Sequence, residues 1–290
     1  MKILVLGSNG QLGRCLNDQL KNSDNEVFFA SRKQIDISNF ELTISQLLEI
    51  SPEIIINATA YTAVDKAEFD REAANLINHL AVKNIANICN QQNWRLIHIS
   101  TDYVFDGSSS QPYSEKNQAN PKGVYGNTKL KGELAVQSSG CKHTIIRTSW
   151  VFSEYGNNFL KTMLKVGAEK DELKIVDDQI GCPTYAQDLA KSILSLIYKL
   201  SLKEDLSGVY HYCGNEPCTW YDFAEVIFYE ANLLNCPTPK SLIRTKTIDY
   251  PTPAFRPPYS VMDCSKINSC FGINCSDWKL GVKNALQRLI

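Results

Sequence analysis

Tyr125 and Lys129 are the two residues whose types and spacing carry the most chemistry. They open and close the run Tyr125-Gly126-Asn127-Thr128-Lys129, four positions apart, so on an α-helix both side chains lie on one face. A free phenol has a pKa of roughly 10, too high for easy proton exchange near neutrality. An ammonium beside it favours the phenolate and brings proton transfer within reach. A second set of groups precedes this pair. The run Ile97-His98-Ile99-Ser100-Thr101-Asp102-Tyr103-Val104-Phe105 reads as a strand ending in a loop. Ser100 and Thr101 offer hydroxyls there, able to hydrogen-bond a substrate carbonyl oxygen and Tyr125. Together these groups suit proton transfer at a carbonyl oxygen.

A third set of residues suits a phosphate-bearing ligand. The first apolar run leads into Gly7-Ser8-Asn9-Gly10-Gln11-Leu12-Gly13, a glycine triplet between a strand and a helix. Gly7 permits a tight turn, Gly10 lets backbone approach a pyrophosphate, and Gly13 lets the helix pack closely on the strand. The helix N-terminus then presents unpaired N–H groups and a positive dipole end. An acid at the end of the second strand would take the ribose 2′-hydroxyl of NAD. The strand instead ends Ala30-Ser31-Arg32-Lys33, where Arg32 offers a fork for a 2′-phosphate and Ser31 a hydroxyl. The expected cofactor is NADPH, with NADH possible.

The elements that position these groups alternate. Apolar runs predict strands over 3–6, 26–30, 53–57, 95–100 and 143–147, with helices over 11–20, 40–50, 68–90 and 125–137 between them. This alternation means βαβ units and a doubly wound parallel sheet of the Rossmann type, an α/β fold. Residues 1–150 form the dinucleotide-binding core, with 185–215, including a helix over 187–200 and a late strand over 209–213, packing back on it. Residues 151–184 and 216–290 are expected to form a smaller substrate lobe. The stretch 237–260 holds six prolines and reads as loop.

The chain has 290 residues, 43% of them hydrophobic and 21% charged, with 30 Lys and Arg against 31 Asp and Glu. No basic excess points to nucleic acid, and no run is long enough for a membrane span. The N-terminal apolar run is too short for a secretory signal, so a cytoplasmic protein is expected, as a monomer or homodimer. The ten cysteines are scattered without Cys-x-x-Cys spacing and read as reduced thiols; no metal is expected.

Several motifs resemble one family. The glycine triplet, Asn57-Ala58-Thr59-Ala60-Tyr61-Thr62-Ala63-Val64-Asp65, Ser100-Thr101-Asp102-Tyr103, Tyr125-Gly126-Asn127-Thr128-Lys129 and Arg147-Thr148-Ser149-Trp150 are similar to those of the dTDP-4-dehydrorhamnose reductases. So are Gly156-Asn157-Asn158-Phe159, Asp178-Gln179-Ile180-Gly181-Cys182-Pro183-Thr184 and Arg256-Pro257-Pro258-Tyr259. These belong to the extended short-chain dehydrogenases/reductases. The resemblance implies reduction of a 4-keto nucleotide sugar by NADPH, with Tyr125 as proton donor, Lys129 holding the nicotinamide ribose and Thr101 completing the triad. It implies cofactor contacts from Gly7, Asn9, Gly10, Gln11, Leu12, Gly13, Ser31, Arg32, Asp36, Ile37, Ala58, Thr59, Ala60, Thr62 and Ile99. Substrate contacts would come from Thr101, Asp102, Tyr103, Trp150, Asn158 and Arg256. Some family members use a Glu two residues after the third glycine to bind magnesium at a dimer interface; Cys15 stands there, and magnesium prefers oxygen. Dehydratases and epimerases share this fold but recycle a bound NAD, and the dehydratases carry an Asp-Glu pair where Asp102-Tyr103 stands. A non-catalytic dinucleotide-binding subunit is a further alternative.

Overall fold

The computed structural model describes residues 1–21, 23–202 and 206–290. Its strands are β1 (Lys2–Leu6), β2 (Glu26–Ala30), β3 (Ile54–Asn57), β4 (Arg95–Thr101), β5 (Lys142–Thr148), β6 (Val151–Phe152), β7 (Glu172–Val176), β8 (Ile180–Gly181), β9 (Thr184–Tyr185), β10 (Gly208–His211), β11 (Cys218–Thr219) and β12 (Ser241–Thr245). Its α-helices are α1 (Gln11–Leu20), α2 (Phe40–Ile50), α3 (Val64–Ala67), α4 (Arg71–Asn75), α5 (Ala81–Gln92), α6 (Val124–Ser138), α7 (Phe159–Glu169), α8 (Ala186–Leu202), α9 (Trp220–Leu233), α10 (Ser265–Phe271) and α11 (Trp278–Leu289).

Six strands form the central sheet in the order β10-β5-β4-β3-β1-β2, all parallel. The parallel arrangement explains the unbroken apolar runs: both faces are covered by helices, so alternate residues of one strand enter different cores. Ile3 and Val5 pack with Leu12, Leu16, Leu189 and Ile193 from α1 and α8. Leu4 and Leu6 pack with Leu47, Val82, Ile85 and Val136 from α2, α5 and α6. The winding reverses on either side of β1, which opens a crevice at the carboxyl ends of β1 and β3. A third core joins α7, α9 and α11 around Phe152, Phe223 and Trp278, and the two-stranded sheet of β7 and β12 packs on α9.

Two expectations fail here. The helix predicted over 68–90 is split: α4 and α5 are separated by a π-helical turn, Leu76–Leu80. The reason is Asn78, buried on what a regular pattern would make an apolar face. Its amide holds both backbone groups of Tyr61, accepting from N at 2.8 Å and donating to O at 3.2 Å, and also donates to Thr128 Oγ1 at 3.2 Å. The proline-rich stretch is not all loop, since β12 lies within it and pairs in parallel with β7 over five residues. Its strand residues are only half apolar, which hides it from periodicity. Among the described residues no helix is long and apolar enough to cross a membrane.

Candidate active site

The ends of β4 and α6 meet where parallel strands of this topology bind ligands. Thr101 closes β4 in extended backbone, and its hydroxyl accepts from Tyr103 N at 3.2 Å and donates to Asp102 Oδ1 at 3.0 Å, beside the Tyr125 phenol. Tyr125 and Lys129 lie one turn apart on α6, with Lys129 only 2% exposed and its Nζ donating to Ile99 O at 2.6 Å. Burial pushes Lys129 down to about 8, against the pull of Glu133. Burial likewise pushes the Tyr125 phenol above its ordinary range; the Thr101 hydrogen bond opposes this, while Asp102 and Tyr103 add to it. The spacing predicts an ammonium that lowers the phenol. In the structure Lys129 is not among the groups that shift the phenol, and desolvation raises it instead.

The two consecutive hydroxyls diverge because strand residues alternate sides. Thr101 faces Tyr125, whereas Ser100 turns to the buried Glu133 carboxylate. Asp102 is 2% exposed; burial pushes its carboxyl up to about 6, against the hydroxyls of Ser260 and Thr101, and its Oδ2 is a buried acceptor with no hydrogen-bond partner of its own. The Tyr103 ring meets Tyr125 edge-on, with centroids 5.6 Å apart. Arg256 reaches across from the C-terminal loop, donating from Nη1 to Tyr103 Oη at 2.8 Å and pairing through Nη2 with Asp65 at 2.6 Å. That clip, rather than an open guanidinium, is how Arg256 stands here.

Trp150 follows β5 with left-handed backbone, φ 47°, and stacks face to face on Trp220 at 3.5 Å. Asn158 sits apart from the triad. Both its amide protons are taken by Gln11 Oε1, Ser153 O and Tyr155 O, and its Oδ1 caps α7 by accepting from Lys161 N. The substrate contact expected of Asn158 therefore finds no free proton, and the side chain braces the glycine loop through Gln11.

A cleft of about 270 Å³ lies at the crevice, lined by Gly7, Asn9, Gly10, Arg32, Asp36, Ile37, Ala58, Thr59 and Ala60, with Ile35, Tyr61 and Ile77. Gly7 has φ +85°, and a Cβ on Gly13 would lie 2.2 Å from Gly7 O, so the close turn and the close helix both need glycine. No side chain caps α1 and no acid occupies its first turn, which leaves its N-terminus ready for an anion. These features fit a dinucleotide whose pyrophosphate rests on α1. Arg32 is exposed at the far end, 3.3 Å from Asp36, whose carboxyl is held below its usual range chiefly by the Ser38 hydroxyl. The Ser31 hydroxyl is spent on Gln34 at 2.7 Å. Gln11 points to the lobe, Leu12 into the core, and Thr62 and Ile99 lie outside the lining of this cleft. Sequence reasoning missed Tyr61, Ile77 and Asn78. The one signal for Asn78 is a polar residue on the apolar face of a helical pattern.

The whole chain, residues 1–290, matches the family described as RmlD substrate binding domain. A dTDP-4-dehydrorhamnose reductase from Aggregatibacter actinomycetemcomitans is 42% identical, over 98% of this chain and 97% of that protein. The chain belongs to the dTDP-4-dehydrorhamnose reductase family. Solved structures of the family agree throughout. The reductase from Clostridium acetobutylicum superposes with a TM-score of 0.93 at 38% identity, covering 100% of this chain and 99% of that one. The Bacillus anthracis reductase, solved in complex with NADP, gives 0.90 at 35% identity, covering 99% and 100%. The protein is therefore an oxidoreductase with the Rossmann fold. Where some family members carry the magnesium-binding Glu, Cys15 is fully buried and burial pushes its thiol up, with Glu154 and Asp18 adding to the effect.

Proposed function

We propose that the protein uses NADPH to reduce the C4 keto group of dTDP-4-dehydro-L-rhamnose, giving dTDP-L-rhamnose. The observation that carries this reading is the placement of the Tyr125 phenol beside Thr101 and one turn from the anchored Lys129, at the end of the same crevice as the glycine-lined cleft. NADPH, when bound, supplies the hydride from its reduced nicotinamide. Thr101 and Tyr125 hold the carbonyl oxygen. As negative charge develops on that oxygen, the Tyr125 hydroxyl gives up its proton, and a phenol of raised pKa still suffices because an alkoxide is a far stronger base. Lys129, anchored to Ile99 O, keeps its other protons for the ribose and steadies the phenolate left behind. Arg32 supports the choice of cofactor, as an exposed fork for the 2′-phosphate.

The test supplies dTDP-4-dehydrorhamnose with NADPH and follows loss of the reduced nicotinamide. One NADPH should be consumed per sugar, and Tyr125→Phe should lose roughly 10²-fold or more in rate. Sugar conversion without net consumption would favour an epimerase, and an undiminished Tyr125→Phe would remove the proton-donor role.

A further inference from the structure

Beneath Lys129 lies a set of buried ionisable groups that the proton transfer does not use. Glu133 stands one turn further along α6 and is 0% exposed. Its carboxylate accepts from the Ser100 hydroxyl and takes Arg147 as a fork, with Nε at 2.9 and 3.2 Å and Nη2 at 2.6 Å. Arg147 comes from β5, lies over the Phe105 ring at 5.1 Å and reaches His211 Nε2 of β10 at 3.4 Å. Such a buried ion pair is a poor source of net stability, because desolvating two charges offsets most of their attraction. Its place in the fold is more telling. Ser100 sits between Ile99, whose carbonyl holds Lys129, and Thr101, whose hydroxyl meets Tyr125. The Ser100–Glu133 bond thus joins β4 to α6 where each contributes half of the catalytic set.

We infer that Glu133 is a positioning residue of the reduction, clamping β4 and β5 to α6 through Ser100 and Arg147 and serving as counter-charge to the Lys129 ammonium. This rests on the reductase reading above. The groups facing Lys129 are few. On α6 they are Tyr125 and Glu133. On β4 there is His98, kept neutral by burial and by Lys129 itself. Arg147 of β5 joins them through Glu133, with the neutral His211 of β10 behind it. Lys129, Glu133 and Arg147 therefore alternate in sign. Without the carboxylate, two buried cations are left without their common counter-charge.

The test compares wild type with Glu133→Gln and Ser100→Ala, measuring kcat and KM for the keto sugar and, separately, NADPH affinity by fluorescence, each from neutral to alkaline pH. Loss of Glu133 leaves Lys129 neutral at lower pH. The alkaline fall of kcat/KM and of NADPH affinity should move down by about one pH unit, that is, about tenfold in proton concentration. Ser100→Ala keeps the charge and loses the clamp, so kcat should drop several-fold while KM and the alkaline fall stay in place. A folded Glu133→Gln whose alkaline fall is unmoved in both readouts overturns the inference, as does Ser100→Ala with full kcat. If Glu133→Gln does not fold, the double variant Glu133→Gln/Arg147→Gln takes its place, with an unmoved fall again overturning the inference. A wild type that binds NADPH but consumes none with the sugar sinks the reductase reading alone, and the binding profiles still decide the role of Glu133.

Discussion

Replacing Gly126 with alanine should separate catalysis from folding. A Cβ at this position would lie 2.1 Å from Tyr103 O, 2.9 Å from Tyr103 C and 3.1 Å from Pro121 Cβ. The obstacle is backbone, and it cannot yield easily. Tyr103 N is tied to Thr101, and the Tyr103 ring is tied through Arg256 to Asp65. Helix α6 must therefore retreat by about 1 Å, and overpacking of this kind costs about 1–3 kcal/mol. Alanine returns up to ~1 kcal/mol through its better helix propensity, so the net loss of stability is modest. Catalysis has no such offset. Tyr125 precedes Gly126 and moves with it, away from Thr101 and the carbonyl oxygen, and a misplacement of about 1 Å costs roughly 10²-fold in rate. The expected result is kcat down by about two decades with the melting temperature down only a few degrees. NADPH affinity should fall far less than kcat, because no residue of α6 lines the glycine cleft and the one contact proposed from α6, Lys129, lies a turn further on and is tied to Ile99 O. The assay is NADPH consumption at saturating sugar beside thermal unfolding. A folded variant with kcat within about threefold of wild type would refute the view that this backbone contact places the phenol.

Three further outcomes follow from the same geometry. Arg32→Ala should raise KM for NADPH about 10- to 100-fold, the worth of a charge-assisted contact, and leave NADH nearly untouched; equal losses with both cofactors would rule out 2′-phosphate recognition. Asp102→Asn should raise the melting temperature at alkaline pH. The native carboxyl titrates near 6 instead of 3.8, so the folded state binds its proton more tightly, and wild-type stability falls as pH rises between those values. Above that window the penalty is on the order of 3 kcal/mol, so the advantage of the Asn variant should vanish by about pH 4, and a gap that ignores pH would contradict this account. Asn158→Ala should lose about 1–2 kcal/mol with the α7 cap and raise KM for NADPH, through loosened Gln11, more than KM for the sugar; the reverse pattern would return Asn158 to the substrate.

What the sequence reveals depends on whether a physical demand falls on neighbouring residues or on distant ones. The glycine loop is legible because a turn at φ +85° and a 2.2 Å approach each exclude a side chain, and both demands are met within seven residues. The sheet is legible because strands covered on both faces must be apolar throughout. Tyr125 and Lys129 are legible as one helical turn. Ser100 and Thr101 are legible as hydroxyls but not as opposites, since alternation says that they diverge without saying which one faces the phenol. The ties that hold Arg256 and Asn158 are not legible, because their partners, Asp65 and Tyr103 for one and Gln11 for the other, lie more than 140 residues away. The π-turn at Leu76–Leu80 was missed for the same reason, since Asn78 answers to Tyr61 and Thr128 and not to its own helix.

Those distant ties also account for the state of the phenol. Tyr125 is half-buried, but desolvation of its hydroxyl pushes the phenol up, and the Tyr103 ring set edge-on against it contributes to that. Tyr103 is held there by Arg256, and Arg256 by Asp65, so α3 and a loop near the C-terminus together fix the environment of a residue on α6. Parting Asp65 from Arg256 frees the Tyr103 ring, admits water to the phenol and removes the main cause of its raised pKa. The proton affinity of Tyr125 is therefore coupled to the Asp65–Arg256 tie through the Tyr103 ring. As the proposed proton donor, Tyr125 is best shielded from solvent while that tie holds.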